Sequence, residues 1–134
     1  MRYSLDTNVC IEYMRGRNAE IVRRFNQVHV SQIVVCSVVR SELLYGAGKS
    51  QNPVAEKAKV EAFLSLFGTR PYDDAAADVF VEQRLRLEQA GMMIGSFDLM
   101  IASISLAEGL VQVTHNTHEF SRAQGLAIED WEVP

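Results

Sequence analysis

Residues 2–13, RYSLDTNVCIEY, pass from the short apolar rise Tyr3 to Leu5 straight into Asp6, Thr7 and Asn8. Residues 2–5 read as a short buried strand. Val9 to Arg15 reads as a short helix stopped at Gly16, a residue able to take the left-handed C-cap conformation. A carboxylate at such a junction can cap the helix. It can also sit where parallel sheets hold their ligands, beyond the carboxyl ends of the strands. The choice depends on whether other carboxylates arrive at equivalent places.

Further along, Ile21, Val22, Phe25 and Val28 repeat at helical spacing, and Ile33 to Cys36 is a β-branched run too short for a helix. Ser37 is a good N-cap for a helix over Val38 to Gly46. Val60, Phe63, Leu64 and Phe67 form the stripe of an amphipathic helix from Val54 to Phe67. Arg70 to Tyr72 reads as a third short strand. Asp73 and Asp74 are placed to cap a helix running to Ala90, and Ser96 to Glu108 is apolar around most of its circumference, which predicts a central helix. Leu110 to Thr114 has the pattern of a parallel strand, a helical turn follows near Thr117 to Arg122, and residues 126–131 complete an edge strand. Strands alternating with helices require crossover connections, so the expected class is α/β, an α/β/α sandwich with a mainly parallel central sheet. No repeat or linker divides it, and residues 1–134 are expected to form one domain.

Composition agrees with a core-forming chain: 48% of the 134 residues are apolar and 22% charged. No apolar run approaches the ~18 residues needed to span a bilayer, and the N-terminus lacks signal-peptide features, so a cytoplasmic protein without membrane contact is expected. Cys10 and Cys36 lie in apolar segments without metal-type spacing and read as buried free thiols. A net charge of −4 argues against broad nonspecific nucleic-acid binding, which needs Lys and Arg to displace counterions, and leaves room for a local basic surface. The stretch YGAGKS, residues 45–50, resembles the end of a phosphate-binding P-loop. That loop requires glycine at position 43, which is Leu, and a preceding strand where a helix is predicted. It reads instead as a helix C-terminus with Lys49 near the negative end of the dipole.

At the predicted carboxyl edge of the sheet the strands and helix starts deliver Asp6 with Thr7 and Asn8, then Glu42 in SELLYG. Asp98 arrives in GSFDLMIA, and Thr114, Asn116 and Glu119 in VTHNTHEF. Each acid alone has an innocent explanation as a cap or a surface charge. Together they raise an electrostatic problem, because two unit charges ~4 Å apart repel by roughly 4 kcal/mol at an effective dielectric of 20. A cluster of this kind needs a cation, or some members held protonated. Donors that are all oxygen select Mg²⁺, with Mn²⁺ as a substitute, over zinc; His29, His115 and His118 form no zinc pattern. A hard divalent ion on such an edge suits phosphodiester hydrolysis.

The blocks LDTNVCIEYM, SVVRSELLYGAGKS, GSFDLMIASISLAEGL and VTHNTHEFSRAQGLAIEDW resemble, in order and across nearly the whole chain, the PIN-domain ribonucleases of the VapC toxin family, and within it the initiator-tRNA-specific endonucleases. The resemblance implies a PIN-like fold acting as the endoribonuclease toxin of a type II toxin–antitoxin pair, cutting tRNA to leave 5′-phosphate and 3′-hydroxyl ends. By the same resemblance Asp6, Glu42 and Asp98 bind the metal. The fourth acid falls at Glu119, where many relatives place Asp at the position of Asn116. Asn8, Thr114 and Asn116 then support substrate or water. The family also implies a homodimer and a VapB-type antitoxin that forms a larger hetero-oligomer with it and occludes the site. The helices Ile21 to Val28 and Val54 to Phe67 are candidate walls of its groove.

Two rivals remain. One is a catalytically inactive PIN-like binding module that receives a basic peptide at the acidic edge. The other is a phosphatase or phosphotransferase with an aspartyl nucleophile, disfavoured because Asn8 stands where a second Asp is required.

Overall fold

Tyr3–Leu5 forms strand β1, and it hydrogen-bonds in parallel to a neighbour on each side. The computed structural model describes residues 1–134. Strand β2 (Ile33–Val34) flanks β1 on one side and β3 (Val111–Val113) on the other, with β4 (Ile128–Glu129) outside β3. The order is β2-β1-β3-β4 and every pairing is parallel. All four carboxyl ends therefore share one edge, and each connection crosses over a face of the sheet.

Register decides what meets at that edge. Leu5 lies opposite Val113, and the Asp6 amide donates to the Val113 carbonyl at 3.1 Å. The next residues out, Asp6 and Thr114, consequently emerge side by side.

Seven helices cover the sheet: α1 (Thr7–Arg15), α2 (Ala19–Gln27), α3 (Ser37–Gly48), α4 (Pro53–Leu64), α5 (Asp74–Ala90), α6 (Ser96–Glu108) and the single turn α7 (Thr117–Phe120). Gly16 ends α1 at φ 68°, where a side chain would be strained, and donates back to the carbonyls of Glu12 and Tyr13. The α6 helix is central as expected, with Leu99, Ile101, Ala102 and Ile104 fully buried. An aromatic cluster closes the other side of the molecule. Tyr13 stacks on Phe25 at 3.8 Å between centroids, and Phe25 meets the edge of the buried Trp131 at 5.4 Å. No helix is long and apolar enough to cross a membrane.

Several boundaries depart from expectation. Cys36, not Ser37, takes the cap position of α3. The Ser37 hydroxyl instead accepts a hydrogen bond from the Tyr72 amide at 3.2 Å, tying down the 70–72 segment. That segment runs beside β2, with Val35 donating to Gly68 and Ser37 to Arg70, but it does not become a third strand. The Tyr72 amide, which a continued ladder would pair with the Ser37 carbonyl, goes to the Ser37 hydroxyl instead. The α3 helix continues through Gly46 to Gly48 because neither glycine adopts a positive φ, and α4 stops at Leu64 rather than Phe67. The apolar faces of α2 and α4 bury Ile21, Phe25 and Phe63 in the core. Between α1, α3 and α4, Ile11, Met14, Leu43 and Val60 line a cavity of about 590 Å³ that reaches Glu42.

Candidate active site

Asp6 does both things its position allows. As N-cap of α1 its Oδ1 accepts from the Val9 amide at 2.9 Å, while Oδ2 accepts from the Thr114 hydroxyl at 2.5 Å. Thr114 is held in turn, its Oγ1 accepting from the Asn116 amide at 3.0 Å. Burial drives the Asp6 carboxyl up from its ordinary range, the bonds from Thr114 and Val9 pull it back, and the negative charge of Glu42 raises it again.

Glu42 projects from α3 toward the start of α1, where its Oε1 accepts from the Thr7 hydroxyl at 2.6 Å. Asp98 lies in the first turn of α6. Its carboxyl is pushed up to about 6, first by burial and then by the charges of Glu119, Glu42 and Asp6, in that order. Four acids from four separate segments thus act on one another at this edge.

Glu119, from α7, is fixed at both oxygens: Oε1 accepts from the Gly95 amide at 2.7 Å and Oε2 from the Asn116 side-chain amide at 2.9 Å. Those two bonds, the Gly95 one first, hold its pKa below the usual carboxylate value. Gly95 sits between the neighbouring acids. A β-carbon there would lie 3.6 Å from Glu119 Oε1 and 3.9 Å from Asp98 Oδ2.

Asp6, Asn8 and Asn116 line a cavity of about 490 Å³ together with Glu12, His115 and Glu132. Glu42 opens into two others, one toward α4 and one toward α6. The acids therefore form a ridge between cavities rather than the floor of one pocket. His115 stands on the rim, its Nδ1 3.0 Å from Asp130 Oδ2, and that bond raises its pKa. His118 approaches Arg122 and His29 caps a 3-10 turn at residues 30–32, and neither lines the cavity of Asp6. Cys10 and Cys36 are buried free thiols, pushed up by burial away from the thiolate form.

Sequence reasoning missed two partners. Thr7 orients Glu42 from 35 residues away, and the Gly95 amide anchors Glu119 across 24. The neighbouring Thr7 of the DTN triplet was a usable signal; a backbone amide leaves none.

The donor set answers whether a divalent ion fits. Every donor at the ridge is oxygen, and a cation would relieve both the burial and the neighbouring negative charges that raise Asp98. No group of three or more His, Cys, Asp or Glu side chains stands close enough together to hold a metal ion by itself. Mg²⁺ needs no such group, because it keeps several waters and takes only one or two carboxylates directly.

Comparison with known proteins agrees with this geometry. The PIN domain family profile matches residues 3–126. The chain is 40% identical over 131 residues to the tRNA(fMet)-specific endonuclease VapC of Shigella flexneri, covering 98% of each. Among solved structures it resembles the DNA-bound VapBC of Salmonella typhimurium, with a TM-score of 0.92, 39% identity and 98% of both chains covered. It also resembles VapBC2 of Rickettsia felis bound to a DNA fragment from its promoter, with a TM-score of 0.89, 32% identity, and 98% of this chain and 99% of that one covered. On these matches the chain belongs to the PIN-domain family, within its VapC branch of ribonuclease toxins.

Proposed function

We propose that residues 1–134 act as one PIN-like domain, a Mg²⁺-dependent endoribonuclease that serves as the toxin of a type II toxin–antitoxin pair and cuts tRNA, initiator tRNA in particular. The observation carrying this reading is the mutual influence of Asp6, Glu42, Asp98 and Glu119, drawn from four segments to one edge of a parallel sheet. The tRNA assignment rests on the printed activity of the Shigella flexneri relative.

In this reading Asp6 and Asp98 hold the ion and Glu42 assists, with Mn²⁺ able to substitute. The bound ion supplies charge shielding for the phosphate, a lowered pKa for water and support for the leaving oxygen. The protein's own groups prepare the site. Thr114 and the Val9 amide favour the ionised form of Asp6 and work against its burial, because hydrogen bonds to the charged form stabilise it. Thr7 fixes one oxygen of Glu42, leaving the other to orient the attacking water. Asn116 joins the Asp6 and Glu119 sides, its amide bonded to Thr114 and its side chain to Glu119. Asn8 faces the same cavity as Asp6 and contacts substrate there.

The solved neighbours are VapBC complexes, which supports an antitoxin partner. The groove of Ile11, Met14, Leu43 and Val60, with Arg15, Glu56 and Lys59 at its margins, takes the antitoxin's C-terminal segment, and a basic side chain from that segment reaches Glu42. The toxin works as a homodimer in this assembly.

Purified protein incubated with initiator tRNA tests the reading. Cleavage in Mg²⁺ that disappears in EDTA and in Asp6→Asn is the expected result. Equal cleavage by Asp6→Asn removes the mechanism. Failure of the wild-type protein to cut any RNA favours the binding module.

A further inference from the structure

Between α3 and α6, on the side of Glu42 away from the antitoxin groove, lies a cavity of about 780 Å³. Thr7 and Glu42 form its edge toward the acidic ridge, while Val38 and Met100 line its apolar part. In the single chain two aromatic side chains on its wall are exposed, Tyr45 at 67% and Phe97 at 60%. Their places in the chain tie them to the site. Tyr45 follows Glu42 by one helical turn on α3, and Phe97 immediately precedes Asp98 on α6. Lys49 places its ammonium 5.2 Å from the centre of the Tyr45 ring.

These features sort the possible occupants. The acidic ridge repels a bare phosphate, but a nucleobase is uncharged and offers a π-face to any aromatic ring. Unpaired bases in RNA loops are the ones that can be splayed out and stacked on protein aromatics. The cavity volume falls within the range of small-ligand sites, and the Ser41 hydroxyl on its lining can bond a base edge. Lys49 beside Tyr45 supplies the only kind of charge that a phosphate flanking that base requires. Resting on the endoribonuclease reading, we propose that this cavity is a nucleobase subsite, in which one unpaired base next to the cut phosphodiester stacks against Phe97 and Tyr45. Such a subsite restricts cutting to single-stranded loops.

Binding is read first, in EDTA so that nothing is cut. A single-stranded RNA pentamer carrying 2-aminopurine is titrated with wild-type protein, Phe97→Ala and Tyr45→Ala. Quenching by the wild type and a Kd weakened about tenfold in each variant is the expected result. Cleavage of a tRNA stem-loop containing the mapped cut follows. An abasic nucleotide beside the cut lowers kcat/KM about as much as Phe97→Ala does, and the two together lose no more than either alone. Equal quenching in all three proteins overturns the proposal, as does a Phe97→Ala loss of the same size on intact and abasic RNA. So does a fall in sedimentation mass with quenching preserved, which assigns the face to a second copy of the chain. Far-UV circular dichroism checks folding, and Tyr45→Ala, at the more exposed ring, carries the binding test if Phe97→Ala does not fold. Quenching by a wild-type protein that cuts no RNA in Mg²⁺ leaves the subsite standing and removes the nuclease reading.

Discussion

Replacing Asp98 with Asn makes the metal-free protein more stable at neutral pH while abolishing its activity. The folded-state pKa of Asp98 is about 6 against an ordinary 3.8. At about 1.36 kcal/mol per pH unit, the raised value corresponds to about 3 kcal/mol against the ionised folded state. Asp98 is only half-buried, so solvent screening brings this to about 1–2 kcal/mol. Losing a negative charge in the first turn of α6 works in the opposite direction by about 0.3–1 kcal/mol. A net gain of about 1 kcal/mol remains. The sign follows from linkage: a carboxyl with a raised folded pKa binds its proton more tightly when folded, so wild-type stability falls as pH rises from about 4 through about 6. Urea unfolding in EDTA at pH 7.5 and pH 4 therefore shows Asp98→Asn ahead of wild type at pH 7.5 and the gap closed at pH 4. An Asp98→Asn protein equal to or weaker than wild type at pH 7.5 refutes the claim that burial and the neighbouring acids disfavour this carboxylate.

Other perturbations act on single contacts. Asp6→Asn abolishes cleavage but unfolds at nearly the wild-type urea concentration: Asn keeps the Val9 bond at the N-cap, and removing a charge that burial disfavours offsets the weakened bond from Thr114. Thr114→Ala removes a hydrogen bond to a buried carboxylate, costing about 1.5–3 kcal/mol in urea unfolding. It also moves the pH–rate profile upward as Asp6 becomes harder to ionise, and Thr114→Ser restores both. In Asp130→Asn the His115 imidazole loses its first cause of a raised pKa and titrates at lower pH, which a nuclear magnetic resonance titration follows directly.

The sheet edge was legible because its signals are local. A short strand-like segment running into Asp6 and a second, Leu110 to Val113, running into Thr114 announce two buried strands with polar exits, and parallel register does the rest. Glu42 stood out as an acid among apolar neighbours on a core-facing helix, and Asp98 as an acid at a helix start. What escaped was set by packing between distant segments. The Ser37 hydroxyl could cap its own helix or hold Tyr72, and only the approach of the 70–72 segment decides between them. The same holds for Thr7 on Glu42 and the Gly95 amide on Glu119, whose pairings depend on how α1 meets α3 and how α7 meets the start of α6. The exposure of Phe97 and Tyr45 was equally hidden, because both are apolar residues on helices whose other faces are core.

The account's central claim is that carboxylates from separate segments share one hard divalent cation. Electron paramagnetic resonance of Mn²⁺ added to the purified protein measures this without any RNA. Saturable binding by the wild type, competed by Mg²⁺ and lost in both Asp6→Asn and Asp98→Asn, is the predicted result. Binding that survives unchanged in both variants contradicts it.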